Sequence, residues 1–216
     1  MSNLRSKGYI ASIGLLAVLF YVTHVVIGKG LYPGYDAMRQ TISDLTALDA
    51  PGRETPLMLA GFYTVAMILF ASGLYFTMSE RFGSMFKWGL SIFVVSSFIA
   101  LGYLFFPLSE SGMSGATLSD TMHVIVTGLV VVTSVTSLIL LGLGFYRSNT
   151  YHYMGMISFV TLGLQLIGAL LTVVWPSIIG LAERITIYSL MTYDVLLSLW
   201  LFKTHFDDRK FMWIDE

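Results

Sequence analysis

Residues 121–146 read TMHVIVTGLVVVTSVTSLILLGLGFY, a run without one Asp, Glu, Lys or Arg. A bilayer core is crossed by about 20 apolar helical residues, and this run is long enough. Its apolar residues do not alternate in the short segments that barrel strands require. In lipid the backbone must satisfy its own polar groups, so the run is predicted to be a helix. Working outward, five further runs are similarly long and apolar, with Asp194 the one Asp, Glu, Lys or Arg among them: Tyr9–Gly28, Leu57–Ser79, Trp88–Pro107, Tyr153–Trp175 and Ile185–Phe202. Together they predict an all-α polytopic membrane bundle of six transmembrane helices, one transmembrane domain over residues 1–216. Only 12% of the chain is charged, about half of what a water-soluble domain carries. The first run follows Arg5 and Lys7, yet no small-residue cleavage pattern follows it, and it is read as a retained span.

The loops set an orientation. With the N-terminus inside, Arg5, Lys7, Arg81, Lys87, Arg147, Lys203, Arg209 and Lys210 fall on the inner side. Lys29, Arg39, Arg53 and Arg184 complete the 12 basic residues on the outer side. The excess of basic residues predicts cytoplasmic N- and C-termini, hence a multi-pass protein of a prokaryotic cytoplasmic membrane. Tyr32, Tyr35, Trp88, Tyr103, Tyr146, Trp175 and Trp200 lie near span ends, where an interfacial belt belongs.

The inner connections, around 80–87 and 147–152, are short and force antiparallel neighbours. The first outer loop, Lys29–Pro56, is long. It opens on Tyr32-Pro33-Gly34-Tyr35-Asp36, a turn in which Pro fixes φ and Gly frees it. Met38, Ile42, Leu45 and Leu48 then recur at helical spacing, which predicts a short amphipathic helix on the outer interface. The tail from Lys203 mixes both charges with aromatics and carries no motif.

Polar groups inside a bilayer are costly, so their positions carry information. Asp194 falls about ten residues into the sixth run, and no span holds a Lys or Arg to pair with it. Gln165, at similar depth in the fifth run, is its nearest candidate partner. The pair reads either as a proton or cation relay or as polar glue between two helices. Asp120, His123, Thr127, Ser134 and Ser137 share one face of the fourth run, and Ser158, Thr161, Gln165, Gly168 and Thr172 one face of the fifth. Both stripes are predicted to face the bundle interior, lining a cavity or letting the helices approach closely.

His24 and His123 lie at matching depth near the outer ends of their spans, beside Asp36, Ser43, Asp44 and Asp120. Two imidazoles with carboxylates suit a divalent metal, with His24, His123 and Asp120 as ligands. Asp44, Asp36 and Ser43 are then the candidate catalytic groups. A haem has only the His24–His123 pair for axial ligands and is disfavoured. His152 and His205 fall on the other side. The chain has no cysteine, which removes thiolate and iron–sulfur chemistry. A net charge of -1 provides no footprint for nucleic acid. No His-Glu-x-x-His, Gly-x-Ser-x-Gly or Walker loop occurs.

The loop motif Tyr32-Pro33-Gly34-Tyr35-Asp36 with Gln40-Thr41-Ile42-Ser43-Asp44-Leu45 resembles the signature of a prokaryotic membrane family, the domain of unknown function numbered nine-nine-eight. Phe106-Pro107 and the Asp120/His123 pair are similar to it as well, so the resemblance runs from about Leu15 to Phe202. It implies a compact six-helix protein of archaeal and bacterial membranes and no particular reaction. A more distant likeness to the membrane hydrolases that include alkaline ceramidases implies His, Asp and Ser around a buried zinc. The chain differs from those in having fewer spans and no paired His in its last helix.

Three functions fit these residues. The protein binds a lipid, another hydrophobic ligand or a membrane partner, which includes a second copy of itself, around a polar pocket near the outer face. Alternatively it is a metal-dependent hydrolase at the outer leaflet. Alternatively it is a small proton- or cation-coupled transporter subunit built on Asp194.

Overall fold

The computed structural model describes residues 2–112, 117–148 and 150–212, with side chains described over 6–112, 117–148 and 150–204. The side chain of His205 and those of the tail beyond it lie outside that set. Seven α-helices follow in order: α1 (Ser2–Leu31), α2 (Glu54–Met78), α3 (Gly83–Ile99), the single turn α4 (Gly102–Phe105), α5 (Leu118–Tyr146), α6 (His152–Val174) and α7 (Ile179–Met212). Two 3₁₀ turns, Ser43–Thr46 and Pro176–Ile178, sit in the connections. Among the described residues six helices are long and apolar enough to cross a membrane, α3 and α4 counting together.

The six spans form a closed ring. Each packs on its neighbour in the chain, α1 on α2, α2 on α3, α3 on α5, α5 on α6 and α6 on α7, and α1 packs on α7 to close the circle. Such a ring has an outside that meets lipid and an inside that does not. Val22, Val26, Leu69, Phe76, Val132, Val160, Leu170 and Val173 are exposed on the outside. The hydroxyl stripes turn inward: Ser137, Ser158, Thr161 and Gln165 are buried. The cost of polar groups in hydrocarbon fixes that arrangement.

Small residues let the ring close tightly. A Cβ on Gly155 of α6 would stand 2.8 Å from the Gly142 carbonyl oxygen of α5, so these two backbones touch where a side chain would hold them apart. At the end where α1 begins and α7 ends, aromatic rings fill the axis. Phe86 and Phe145 meet at 4.8 Å, Phe145 and Trp200 at 4.9 Å, and Tyr151 and Trp200 at 5.7 Å between centroids. All are edge-on contacts, the geometry that aromatic quadrupoles favour.

The opposite end is capped by the two long connections. Here the structure corrects two expectations. The segment 38–48 is a series of turns around the 3₁₀ turn Ser43–Thr46, not an amphipathic helix. Ile42 and Leu45 point down into the ring, buried against Tyr21, Val25 and Met191, while Met38 and Leu48 are exposed. The periodicity was there, but the apolar residues plug the mouth of the bundle instead of lying on a membrane surface. The sixth span begins at Pro176 and not near Ile185. Glu183 and Arg184 are therefore helical residues of α7, because the capping loop satisfies both charges.

Candidate functional site

The ring surrounds a partly open cavity of ≈550 Å³. Its walls run from Thr41, Ser43, His123 and Glu183 at the capped end to Gln165, Tyr193 and Asp194 deeper in, with Met67, Phe93, Leu138 and Leu190 between. Ligand sites of about 300–1,000 Å³, mostly apolar with a few placed polar groups, have this character.

The cap is built from the loop motif. Asp36 Oδ1 accepts from Met38 N–H at 2.9 Å, and Gln40 Oε1 accepts from Asp36 N–H at 2.7 Å, so the two side chains close the 36–40 turn on itself. Arg184 clamps that turn onto α7. Its Nη1 donates to the carbonyls of Ala37 at 2.8 Å, Gln40 at 2.9 Å and Gly180 at 2.7 Å, and its Nη2 reaches the Tyr35 hydroxyl. The Tyr35 hydroxyl donates onward to the Thr41 carbonyl. Burial pushes the Tyr35 phenol up to about 12, against the opposing pull of the Arg184 guanidinium. One residue earlier on α7, the Glu183 carboxylate accepts from Ile42 N–H.

The three Asp candidates serve this scaffold. Asp44 accepts from Thr41 N–H at 2.6 Å and from Gly112 N–H at 2.8 Å, joining the two connections. Asp120 completes a capping box with Thr117 at the start of α5. It also takes Ser109 N–H at 2.7 Å and the Ser109 hydroxyl at 2.6 Å. Asp36 is half exposed and paired with Arg39 at 3.7 Å on the surface.

The two histidines differ. α3 tightens to an i→i+3 bond at Leu101 and ends with α4 at Phe106-Pro107, where proline cannot continue the helix. The Phe106 carbonyl is thereby free to accept from His123 Nδ1 at 2.8 Å, while His123 Nε2 lies 3.1 Å from Ser43 Oγ. His24 also lines the cavity, 4% exposed, and neither of its ring nitrogens has a hydrogen-bond partner.

The expected ligand set His24, Asp120 and His123 is not assembled. Among the described residues no group of three or more His, Asp or Glu side chains could hold a metal ion. The reason is local: the capping box turns the Asp120 carboxylate toward the loop, and both His123 nitrogens are already engaged. A bis-His haem loses His123 on the same ground. These residues do not fit a metal centre or a haem.

Deeper in the ring, Gln165 Nε2 donates to Ser134 Oγ at 2.5 Å, so its partner is α5 and not Asp194. Gln165 Oε1 is buried without a partner. Asp194 is 4% exposed, within electrostatic reach of Tyr63 and Tyr193. Thr127 and Ser134 line the cavity with it. The sequence reading missed Glu183 and the tyrosines 21, 63, 103 and 193, which face the same cavity. Glu183 had a signal: it lies eleven residues before Asp194, close to three helical turns, and so on the same face.

Fold and site define a polytopic integral membrane protein, six helices in a ring around a capped, mostly apolar cavity with a few polar groups on its wall. The chain belongs to the family described as "Protein of unknown function (DUF998)", which matches residues 15–200. No curated protein and no solved structure shows a significant match to it.

Proposed function

We propose that the protein holds one lipid or similarly amphipathic molecule inside the ring. The apolar part lies along the middle walls, and the polar end meets the groups at the capped mouth. The observation that carries this reading is the pairing of a ≈550 Å³ cavity with buried polar atoms on two lining residues that lack hydrogen-bond partners, both ring nitrogens of His24 and Oε1 of Gln165. Leaving such a group unsatisfied costs about 1–3 kcal/mol. A folded protein that keeps two of them against a cavity has a use for them, and a ligand that hydrogen-bonds both supplies it. The Phe86, Phe145 and Trp200 rings pack on one another beyond the cavity lining, which favours a binding chamber over a conduit.

With both termini in the cytoplasm, as the basic residues favour, the mouth faces the outer leaflet of a prokaryotic cytoplasmic membrane. The test is native mass spectrometry of the full chain released from mild detergent. A lipid-sized adduct is expected at one per chain. It should be lost when Ala60 and Ala169, both on the cavity wall, are replaced by Phe. Bare protein, or an adduct that survives filling of the cavity, would refute the reading.

A further inference from the structure

With the nearby aspartates engaged in the cap, what the mouth presents to the cavity is a hydroxyl beside an imidazole. Ser43 Oγ lies 3.1 Å from His123 Nε2, and His123 Nδ1 lies 2.8 Å from the Phe106 carbonyl oxygen. A carbonyl only accepts, so Nδ1 carries the proton and Nε2 turns its lone pair to the Ser43 hydroxyl. This is the tautomer a general base requires, and the third group that orients it is in place. His123 is 7% exposed, with its ring 5.0 Å from that of Tyr103. Ser43 opens the 3₁₀ turn whose preceding amide, Ile42 N–H, is held by Glu183. Both Ser43 and His123 line the cavity. Fastening the cap does not require this pair, since Asp44, Asp120 and Arg184 already do so.

We infer that Ser43 and His123 form an acyl-transfer dyad whose substrate is the ester of a long-chain acyl group, with the chain seated in the cavity. The inference rests on the cavity being a lipid site. Ser43 Oγ attacks the ester carbonyl carbon while its proton passes to His123 Nε2. The new Oγ–acyl bond forms, the ester C–O bond breaks, and the departing alkoxide takes the proton from Nε2. Water, giving its proton to the same nitrogen, then cleaves the acyl-serine, and that proton returns to Oγ as the carboxylic acid leaves. His123 is the catalytic base and Ser43 the nucleophile.

The experiment incubates the purified full chain in detergent with para-nitrophenyl dodecanoate. Nitrophenol release is followed, and intact and peptide masses are read from the same sample. The expected result is one dodecanoyl group on Ser43. Ser43→Ala should carry none, and Ser43→Ala and His123→Gln should each release nitrophenol roughly 10²–10⁴-fold more slowly, the range of general-base contributions. Ser43→Ala leaves the cap contacts of Asp44, Asp120 and Arg184 in place, so the variant is expected to stay folded, with its melting midpoint lowered only by the loss of the His123 partner. No acyl group on Ser43, or equal acylation of Ser43→Ala, would overturn the dyad. If the non-covalent lipid adduct persists in that case, the cavity reading stands by itself. If it is absent too, both fall.

Discussion

At the residue scale, His24 concentrates the argument. Its imidazole packs edge-on to Tyr21 at 5.5 Å but offers two nitrogens that nothing in the protein meets. His24→Phe keeps that ring contact and removes the unsatisfied groups. The lipid-free protein is therefore expected to melt higher, by about 1–3 kcal/mol in stability, while retaining less lipid through purification. A lower melting midpoint with lipid retention unchanged would remove His24 from the site. Tyr35 makes the opposite case, a polar group fully used by the fold. Tyr35→Phe deletes the hydroxyl that links Arg184 to the Thr41 carbonyl and should cost about 1.5–3 kcal/mol at neutral pH, as for hydrogen bonds to charged groups. The folded phenol is pushed up to about 12, above the roughly 10 of an unfolded tyrosine, so folding favours its protonated form. Its contribution is complete below about pH 10 and fades as pH rises toward 12. Melting curves of parent and Tyr35→Phe should then converge over that interval, and parallel curves would contradict the assignment. Neither role was legible in the sequence. His24 could be placed by depth but its neighbours could not, and Asp36 and Asp44, read as candidate catalytic groups, and Asp120, read as a metal ligand, tie loops because a capping box and a turn are decided by φ and ψ, not by depth.

At the element scale, the spans were legible because each is long and apolar, with Asp194 the one Asp, Glu, Lys or Arg in the six predicted runs, and hydropathy alone identifies such a run. The cap was only half legible. Ile42 and Leu45 were recognisable as one apolar face, yet what they bury against comes from α1 and α7, distant in sequence. The start of α7 was hidden for a related reason. Glu183 and Arg184 look like a span boundary until the loop that satisfies them is seen. Gly180 sits under that loop, where a Cβ would run into the Gln40 and Ala37 carbonyls. Gly180→Ala is expected to lift the cap and increase proteolysis within residues 32–48, with α2 through α6 unaffected. Unchanged cleavage would show that the loop tolerates the intrusion. The α5–α6 contact answers to a similar test. Gly155→Ala places a methyl 2.8 Å from the Gly142 carbonyl oxygen and should destabilise the bundle by about 1–3 kcal/mol, the usual range for overpacking. A thermal melt in detergent reads it, and an unchanged midpoint would mean that the two helices can separate at no cost.

At the scale of the whole molecule, the hydroxyl stripes, the low charge and the six spans describe one object. A ring of helices in lipid must point its polar residues at its own axis, and an axis lined with Ser, Thr, Gln, Tyr and two carboxylic acids does not close into a dry apolar core. The sequence contained the stripes but not the ring, since nothing local states that α1 meets α7. The family to which the chain belongs is defined over residues 15–200, a stretch that takes in the loop motif, the cavity walls and the closing contact between α1 and α7. The proposed lipid-like molecule in that chamber is what gives the ring its function. The most direct measurement is an experimental density map of the full chain in a lipid nanodisc. The expected result is an elongated non-protein density inside the ring, reaching from the level of Ser43 toward Asp194. Helices drawn together so that side chains fill that space would contradict it.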